Sequence, residues 1–170
     1  MNKIIFETDR LILEAIQEKH FSDLYNLLSN ENVHKYFPKA LDKEESLEFY
    51  DKIQKRYIED GFYFWAVIRK TDRAFIGICG LLKQMIDNQV ETEVGYRILD
   101  TYWGNGYGTE AANGCIKYAK EKLGKQSIIS IIREINTPSI KVAEKNELIY
   151  ETEIIFNNLP HKVYRKVLLK

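Results

Sequence analysis

Residues 127–133 read SIISIIR, a nearly unbroken apolar run. It lacks the alternation of a strand with one wet face, so it reads as a strand buried on both faces. Such a strand needs cover on both sides of its sheet. Four amphipathic segments can supply it. Phe21, Leu24, Tyr25 and Leu28 fall at helical spacing within 18–29. Leu47, Tyr50, Ile53 and Tyr57 form a stripe along 43–59, opened by Asp42 and Glu45 as a capping box and stopped near Gly61. Ala112, Cys115, Ile116, Ala119 and Leu123 define a third helix starting near Tyr107 and ending at Gly124. Asn136 as N-cap, with Pro138 in the first turn, opens a short fourth helix over 136–146.

Between these lie further strand patterns. TDRLILEAI (8–16) sets Leu11, Leu13 and Ala15 at period two. FYFWAVIRK (62–70) and RAFIGICGLL (73–82) are joined by a Thr71-Asp72 turn. VETEVGYRIL (90–99) follows the polar break Asp87-Asn88-Gln89, and strands at about 148–156 and 162–169 close the chain. The order β-α-α-β-β-β-α-β-α-β-β predicts one α/β (α+β) domain over 1–170. Its mixed sheet should hold about six to seven strands flanked by about four helices.

Lys plus Arg and Asp plus Glu both total 25. The absence of net charge argues against broad affinity for nucleic acid or an anionic membrane. No apolar run approaches the roughly 20 residues of a membrane span, and MNKIIFETDRL lacks the pattern of a leader. Cys79 and Cys115 sit in apolar contexts without CxxC spacing, which predicts a buried reduced pair and a cytoplasmic protein. His20, His34 and His161 show no HxxxH or HxH spacing, so no metal site is expected.

The segment YWGNGYGTEAA (102–112) joins a strand to a helix through three alternate glycines. Unpaired first-turn amides and the helix dipole make such a junction an anion site, and glycine lets the anion come close. It is not the dinucleotide fingerprint, because Thr109 stands three residues after Gly106. Nor is it a Walker loop, because no lysine lies between Asp100 and Asn113. By itself the pattern also fits a glycine-rich turn with no ligand.

The segment resembles the R/Q-x-x-G-x-G/A pyrophosphate loop of the GNAT acetyltransferases, with Trp103 first, Gly106 fourth and Gly108 sixth. YWGNGYGTEA is similar to the RimJ/RimL-type branch. ETDRLILEAI (7–16), EVGYRI (93–98) and NTPSIKVAEK (136–145) resemble that branch's opening strand, fourth strand and last helix. Two departures stand out. Asn146-Glu147-Leu148 replaces the usual Leu-Gly-Phe, which predicts either a strained Glu147 or a shifted helix end with Asn146 left-handed. Ala143 stands where many members carry a tyrosine acid.

The resemblance implies acetyl-CoA as co-substrate, its diphosphate on the amides of Gly104, Asn105, Gly106, Tyr107, Gly108 and Thr109. It places the pantetheine arm between the fourth and fifth strands, bonded to backbone around Ile98, with Asn136 on its other side. It also implies an oxyanion amide near Ile98 or Leu99, freed by a bulge, and Ser139 at the thiolate. For Asn136 and Ser139 the alternative is plain helix capping. An attacking amine needs a base. Glu91 and Glu93 share one strand face, and Glu93 lies near the offset of the fourth-strand base of some GNAT enzymes. The alternative for Glu93 is an exposed carboxylate or a pair with Arg97. Glu91 is the second candidate for the base or for amine binding. Tyr36 and Phe37 are the expected acceptor contacts, while Glu44, Glu45 and Glu48 fit a solvated helix face better than an acceptor lure.

The function expected is acetyl transfer from acetyl-CoA to a primary amine: a protein N-terminus, polyamine, amino acid or amine antibiotic. The alternative is a non-catalytic CoA-binding sensor or partner-binding module on the same fold. A homodimer is left open.

Overall fold

The structure, a computed structural model, describes residues 3–169. One sheet holds eight strands: β1 (Ile4–Glu7), β2 (Leu11–Ala15), β3 (Phe64–Arg69), β4 (Phe75–Ile86), β5 (Gln89–Ile98), β6 (Ser127–Ile132), β7 (Ile149–Phe156) and β8 (Leu159–Val167). Four helices accompany them: α1 (Phe21–Leu28), α2 (Lys43–Asp60), α3 (Tyr107–Glu121) and α4 (Thr137–Lys145). The strand order is β1-β2-β3-β4-β5-β6-β8-β7. Neighbours are antiparallel except β5 and β6, which run parallel. The extra strand is β1, four residues long and too short for periodicity to reveal.

Alternation along each strand sorts side chains into two cores. Leu11, Leu13, Trp65, Val67 and Ile76 pack with Ala111, Cys115 and Ala119 of α3. Their sequence neighbours Ile12, Ala66 and Ile68 pack with Leu24, Leu27 and Leu28 of α1 and Ile53 of α2. Ile78 joins them, because the register shift between Phe75 and Gly77 sets it on the opposite face from Ile76. The central strands are therefore sandwiched between helix layers, as the 127–133 run requires. Ile128 and Ile129 of β6, which point to opposite faces, are both fully buried. Cys79 and Cys115 are buried free thiols with their Sγ atoms 3.5 Å apart, as expected.

Helix ends follow local chemistry. Asp42 and Glu45 form the reciprocal capping box at α2, and Gly61 closes that helix at φ 84°. Asn136 caps α4 by accepting from the Ser139 amide at 3.3 Å. The end of α4 is a Schellman turn, with Glu147 N–H bonded to Glu144 O and Leu148 N–H to Ala143 O, both 2.9 Å.

The left-handed position in that turn is Glu147, at φ 67°, while Asn146 stays at φ −90°. Asn146 therefore does not take over the glycine's role. Its side chain is committed elsewhere, donating from Nδ2 to Thr109 O at 3.3 Å and accepting at Oδ1 from Asn113 Nδ2 at 3.2 Å. That clamp ties α4 to α3 and holds Asn146 in place.

A non-glycine residue in the left-handed region costs roughly 1–2 kcal/mol. The exposed Lys166–Glu147 pair at 3.2 Å offsets little of this. Glu147→Gly is expected to raise stability by about 0.5–1 kcal/mol after glycine's own entropy cost, seen as a gain of roughly 1–4 °C in thermal melts. An unchanged or lower Tm would contradict the strain.

Candidate active site

Strands β5 and β6 touch at one point and then part. The register pairs Glu93 with Ile129 and goes no further. On its other side, β5 stays paired with β4 through Gly77↔Ile98. β6 likewise stays paired with β8 through Ile132↔Lys162. The gap opens into a cleft of about 450 Å³ that passes through the sheet. Because Tyr96 and Arg97 are neighbours in a strand, they face opposite sides of it. On the α3–α4 side the cleft is lined by Tyr96, Asn136, Ser139 and Ala143; on the α1–α2 side by Tyr36, Phe37, Lys52, Tyr63 and Arg97.

At the gap's mouth lies the glycine segment. Gly104 and Gly106 both take φ 79°, a left-handed conformation that suits glycine. Gly106 is the N-cap of α3 and offers no capping side chain, unlike Asp42 at α2 or Asn136 at α4. The first-turn amides of α3 therefore face outward without a side-chain partner. Gly108 has a different reason to be glycine: a Cβ there would lie 3.1 Å from the Tyr96 ring. Asn105 braces the loop from Nδ2, donating to Tyr102 O at 3.0 Å and Trp103 O at 3.2 Å. The Tyr107 side chain is buried beneath the Arg10 guanidinium, 4.4 Å from its ring centre, so only its backbone is on offer. Thr109 accepts the Asn146 amide at its carbonyl. Glu110 ties this turn to the β1–β2 corner, taking Thr8 Oγ1 at 2.6 Å and Arg10 Nε at 2.7 Å.

Residues 10–148 match a family model described as an acetyltransferase (GNAT) domain. The chain belongs to the GNAT acetyltransferases. YkkB of Bacillus subtilis, an uncharacterized protein, is 32% identical over 160 residues, covering 94% of this chain and 93% of YkkB. A GNAT-family acetyltransferase structure from Bacillus anthracis superposes with a TM-score of 0.82 at 23% identity, covering 99% of each chain. The structure of RimL, a ribosomal L7/L12 α-N-protein acetyltransferase in complex with coenzyme A, gives 0.78 at 16% identity, covering 97% of this chain and 98% of RimL.

As a GNAT enzyme the protein takes its acetyl group from acetyl-CoA, and its residues fit that donor. The uncapped, glycine-opened end of α3 suits a diphosphate. The parted strands leave an extended backbone edge for a pantetheine arm. Leu99 N–H bonds Ile76 O at 2.9 Å, so the alternate amides of Tyr96 and Ile98 point the other way, into the gap. Two implied details need correction. No bulge interrupts the β4–β5 register; departure of β6 exposes the Ile98 amide instead. Leu99 is no oxyanion donor, since its N–H is taken by β4. The Ile98 carbonyl is occupied too, accepting Trp103 Nε1 at 2.8 Å, so Ile98 has only its N–H free for an arm.

Glu93 sits at the floor of the cleft where the strands part, half-buried and walled by protein. Oε1 accepts from Gln84 Nε2 at 2.9 Å and Oε2 from Ile131 N at 3.4 Å. Burial pushes its carboxyl up from 4.5 to about 7, against those two hydrogen bonds and the positive field of Arg97. It is neither an exposed carboxylate nor in an ion pair with Arg97. Glu91 differs although it shares the face. Arg165 holds it bidentately at 2.7 and 2.9 Å, and it does not line the cleft. Ser139 Oγ lies 3.1 Å from Tyr96 Oη. Asn136 lines the cleft while capping α4, its Oδ1 engaged with the Ser139 amide. Tyr36 and Phe37 line the α1–α2 side of the cleft, whereas Glu44, Glu45 and Glu48 do not.

Sequence reading missed Tyr96, Gln84, His34, Lys52 and Arg133 as parts of this site. Arg97 entered only as a partner for Glu93. Its position two strand steps beyond Glu93 on the same face was the available signal. His34 carried none: its Nε2 accepts from Arg97, while burial and that guanidinium pull its pKa down to about 4.

Replacing Gly106 by valine forces a β-branched residue into a left-handed turn beside the exposed amides. Acetyl-CoA affinity measured by calorimetry is expected to fall at least tenfold. Unchanged affinity would remove this helix end from the donor site.

Proposed function

We propose that the protein acetylates a primary amine by direct attack on the thioester of acetyl-CoA, with Glu93 as base. The observation that carries this reading is Glu93 itself, a walled carboxyl titrating near 7 at the one point where β5 and β6 part. An amine with a pKa near lysine's arrives protonated, and a base poised near the working pH removes its proton efficiently.

When bound, acetyl-CoA supplies the reactive acyl group; the remaining tasks fall to the chain. The Tyr96 N–H, aimed into the gap, would donate to the carbonyl oxygen as it gains negative charge, while the Ile98 N–H holds the arm. Ser139 Oγ, held by Tyr96 at 3.1 Å, would hydrogen-bond the departing sulfur. Burial pushes the Tyr96 phenol up to about 12, so it stays protonated and supports Ser139 as a hydrogen-bond partner without giving up its proton. This hydrogen-bonded pair serves the sulfur in a chain whose Ala143 stands where many members carry a tyrosine acid. Asn136 keeps Nδ2 available to the pantetheine arm while Oδ1 caps α4. Tyr36 and Phe37 wall the acceptor. The unbridged pair Cys79 and Cys115 supports a reducing compartment such as the cytoplasm.

A base must be ionised, so kcat/KM is expected to rise with pH through about 7 and level above it. Glu93→Gln should lower kcat by 10²–10⁴-fold and abolish that limb. Stability should move oppositely. The folded wild type retains a proton that the unfolded chain has lost between pH 4.5 and about 7, so it loses stability as pH rises through that window. Glu93→Gln should escape this loss and melt higher at pH 8. Turnover that keeps its pH profile in the variant would exclude Glu93 as base.

A further inference from the structure

The acceptor side of the cleft carries cations with no acids to answer them. Arg97 donates from Nη1 to His34 Nε2 at 2.9 Å and forms no ion pair among the described residues. Its guanidinium lies over the rings of Phe37 at 4.3 Å, Phe49 at 5.1 Å and Phe64 at 5.8 Å. It lines the cleft, and none of its nitrogens is sealed away without a partner, so the uncommitted N–H groups open onto the cleft. Lys52 of α2 and Arg133, just beyond β6, line the same cleft and likewise have no ion pair among the described residues. Arg133 donates to Tyr36 O at 3.3 Å, and Lys52 Nζ sits 5.9 Å from the Tyr63 ring centre. Among the described residues, Glu93 is the one carboxylate lining this cleft. His34 adds no charge, since Nδ1 bonds Asn30 O and Nε2 accepts from Arg97.

Three cations facing one acid is a local imbalance in a chain whose charges cancel overall. A simple cationic amine would be repelled there. The diphosphate of the donor does not account for Arg97, because Arg97 and Tyr96 face opposite sides of β5 and the α3 cradle lies on the Tyr96 side. What satisfies this pocket is an acceptor that brings an anion with its amine. A guanidinium fork seated among aromatic rings is suited to a carboxylate, which it grips by two parallel hydrogen bonds.

We propose that the acceptor is a small aminocarboxylate, its carboxylate read by Arg97 while its amine faces Glu93. This rests on the amine-transfer reading above and adds the substrate class. Glu93 and Arg97 lie two strand steps apart on one face, about 13 Å between Cα atoms. Gly95, between them on that face, lets Leu82 and Phe64 pack close over the strand, and these two also line the cleft, so the body of the acceptor lies against their rings and methyls. Arg97 is thus a specificity residue of the acceptor pocket, with Lys52 and Arg133 adding positive field.

The test is CoA release with a panel of aminocarboxylates, each measured beside its own amide and its decarboxylated amine. Wild type should favour the acid by roughly tenfold or more in kcat/KM, mainly through KM. Arg97→Gln should erase the gap, slowing the acid roughly tenfold more than its amide or decarboxylated amine. Arg97→Lys, which keeps the charge and loses the fork, should fall between. Should Arg97→Gln not fold, Arg97→Lys and Lys52→Met carry the comparison, the latter raising KM for the acid and not for the amide. Preference for decarboxylated amines or for peptide N-termini lacking acids would overturn the proposal. So would an equal loss on every acceptor in Arg97→Gln. If no amine is turned over, the transfer reading fails separately. Calorimetry of the aminocarboxylates with the protein–CoA complex then decides: binding weakened tenfold by Arg97→Gln supports the anion site, and no binding overturns it.

Discussion

The parting of β5 from β6 is the feature on which everything else depends. Two parallel strands that stayed paired would satisfy each other's backbone and leave a closed sheet. Here they share a single paired position at Glu93, and each remains zipped to its other neighbour. The sheet therefore keeps its rigidity while one seam is open. Along that seam, unpaired amides, a passage between the two faces and a walled floor all arise together. The glycine-opened end of α3 sits at the mouth of the same seam because α3 follows directly from β5.

Electrostatics at the floor of the cleft run against stability. Glu93 is denied enough solvent that burial outweighs two hydrogen bonds and a nearby guanidinium. An apolar residue there would cost the fold less. The cationic wall opposite adds a second unsettled element, since Arg97, Lys52 and Arg133 have no acid partners in the described chain. Pockets that hold charges in waiting are organised around what enters them. The two faces of the sheet differ: the α3–α4 side presents amides and hydroxyls, and the α1–α2 side presents rings and cations.

Much of the fold was readable along the chain. The apolar 127–133 run called for helices on both faces, and the caps at Asp42 and Asn136 set helix starts to the residue. The glycine segment showed its anion-binding form because the signal is local, confined to a few consecutive backbone conformations. β1 escaped notice because four residues carry too little periodicity. Glu147 was correctly marked as strained, but the proposed escape through Asn146 failed, since its contacts to Thr109 and Asn113 come from a helix distant in sequence.

Residue order alone settled the alternation of strands and helices, the face each side chain takes and the open helix end, since these follow from periods and caps spanning a few residues. It placed Glu91 and Glu93 on equal terms. Only the folded chain separated them, by bringing Arg165 from β8 against Glu91 and Gln84 with the Ile131 amide against Glu93. A carboxyl's proton affinity depends on its solvent and its partners across space, and those are chosen by packing between elements that no local pattern connects.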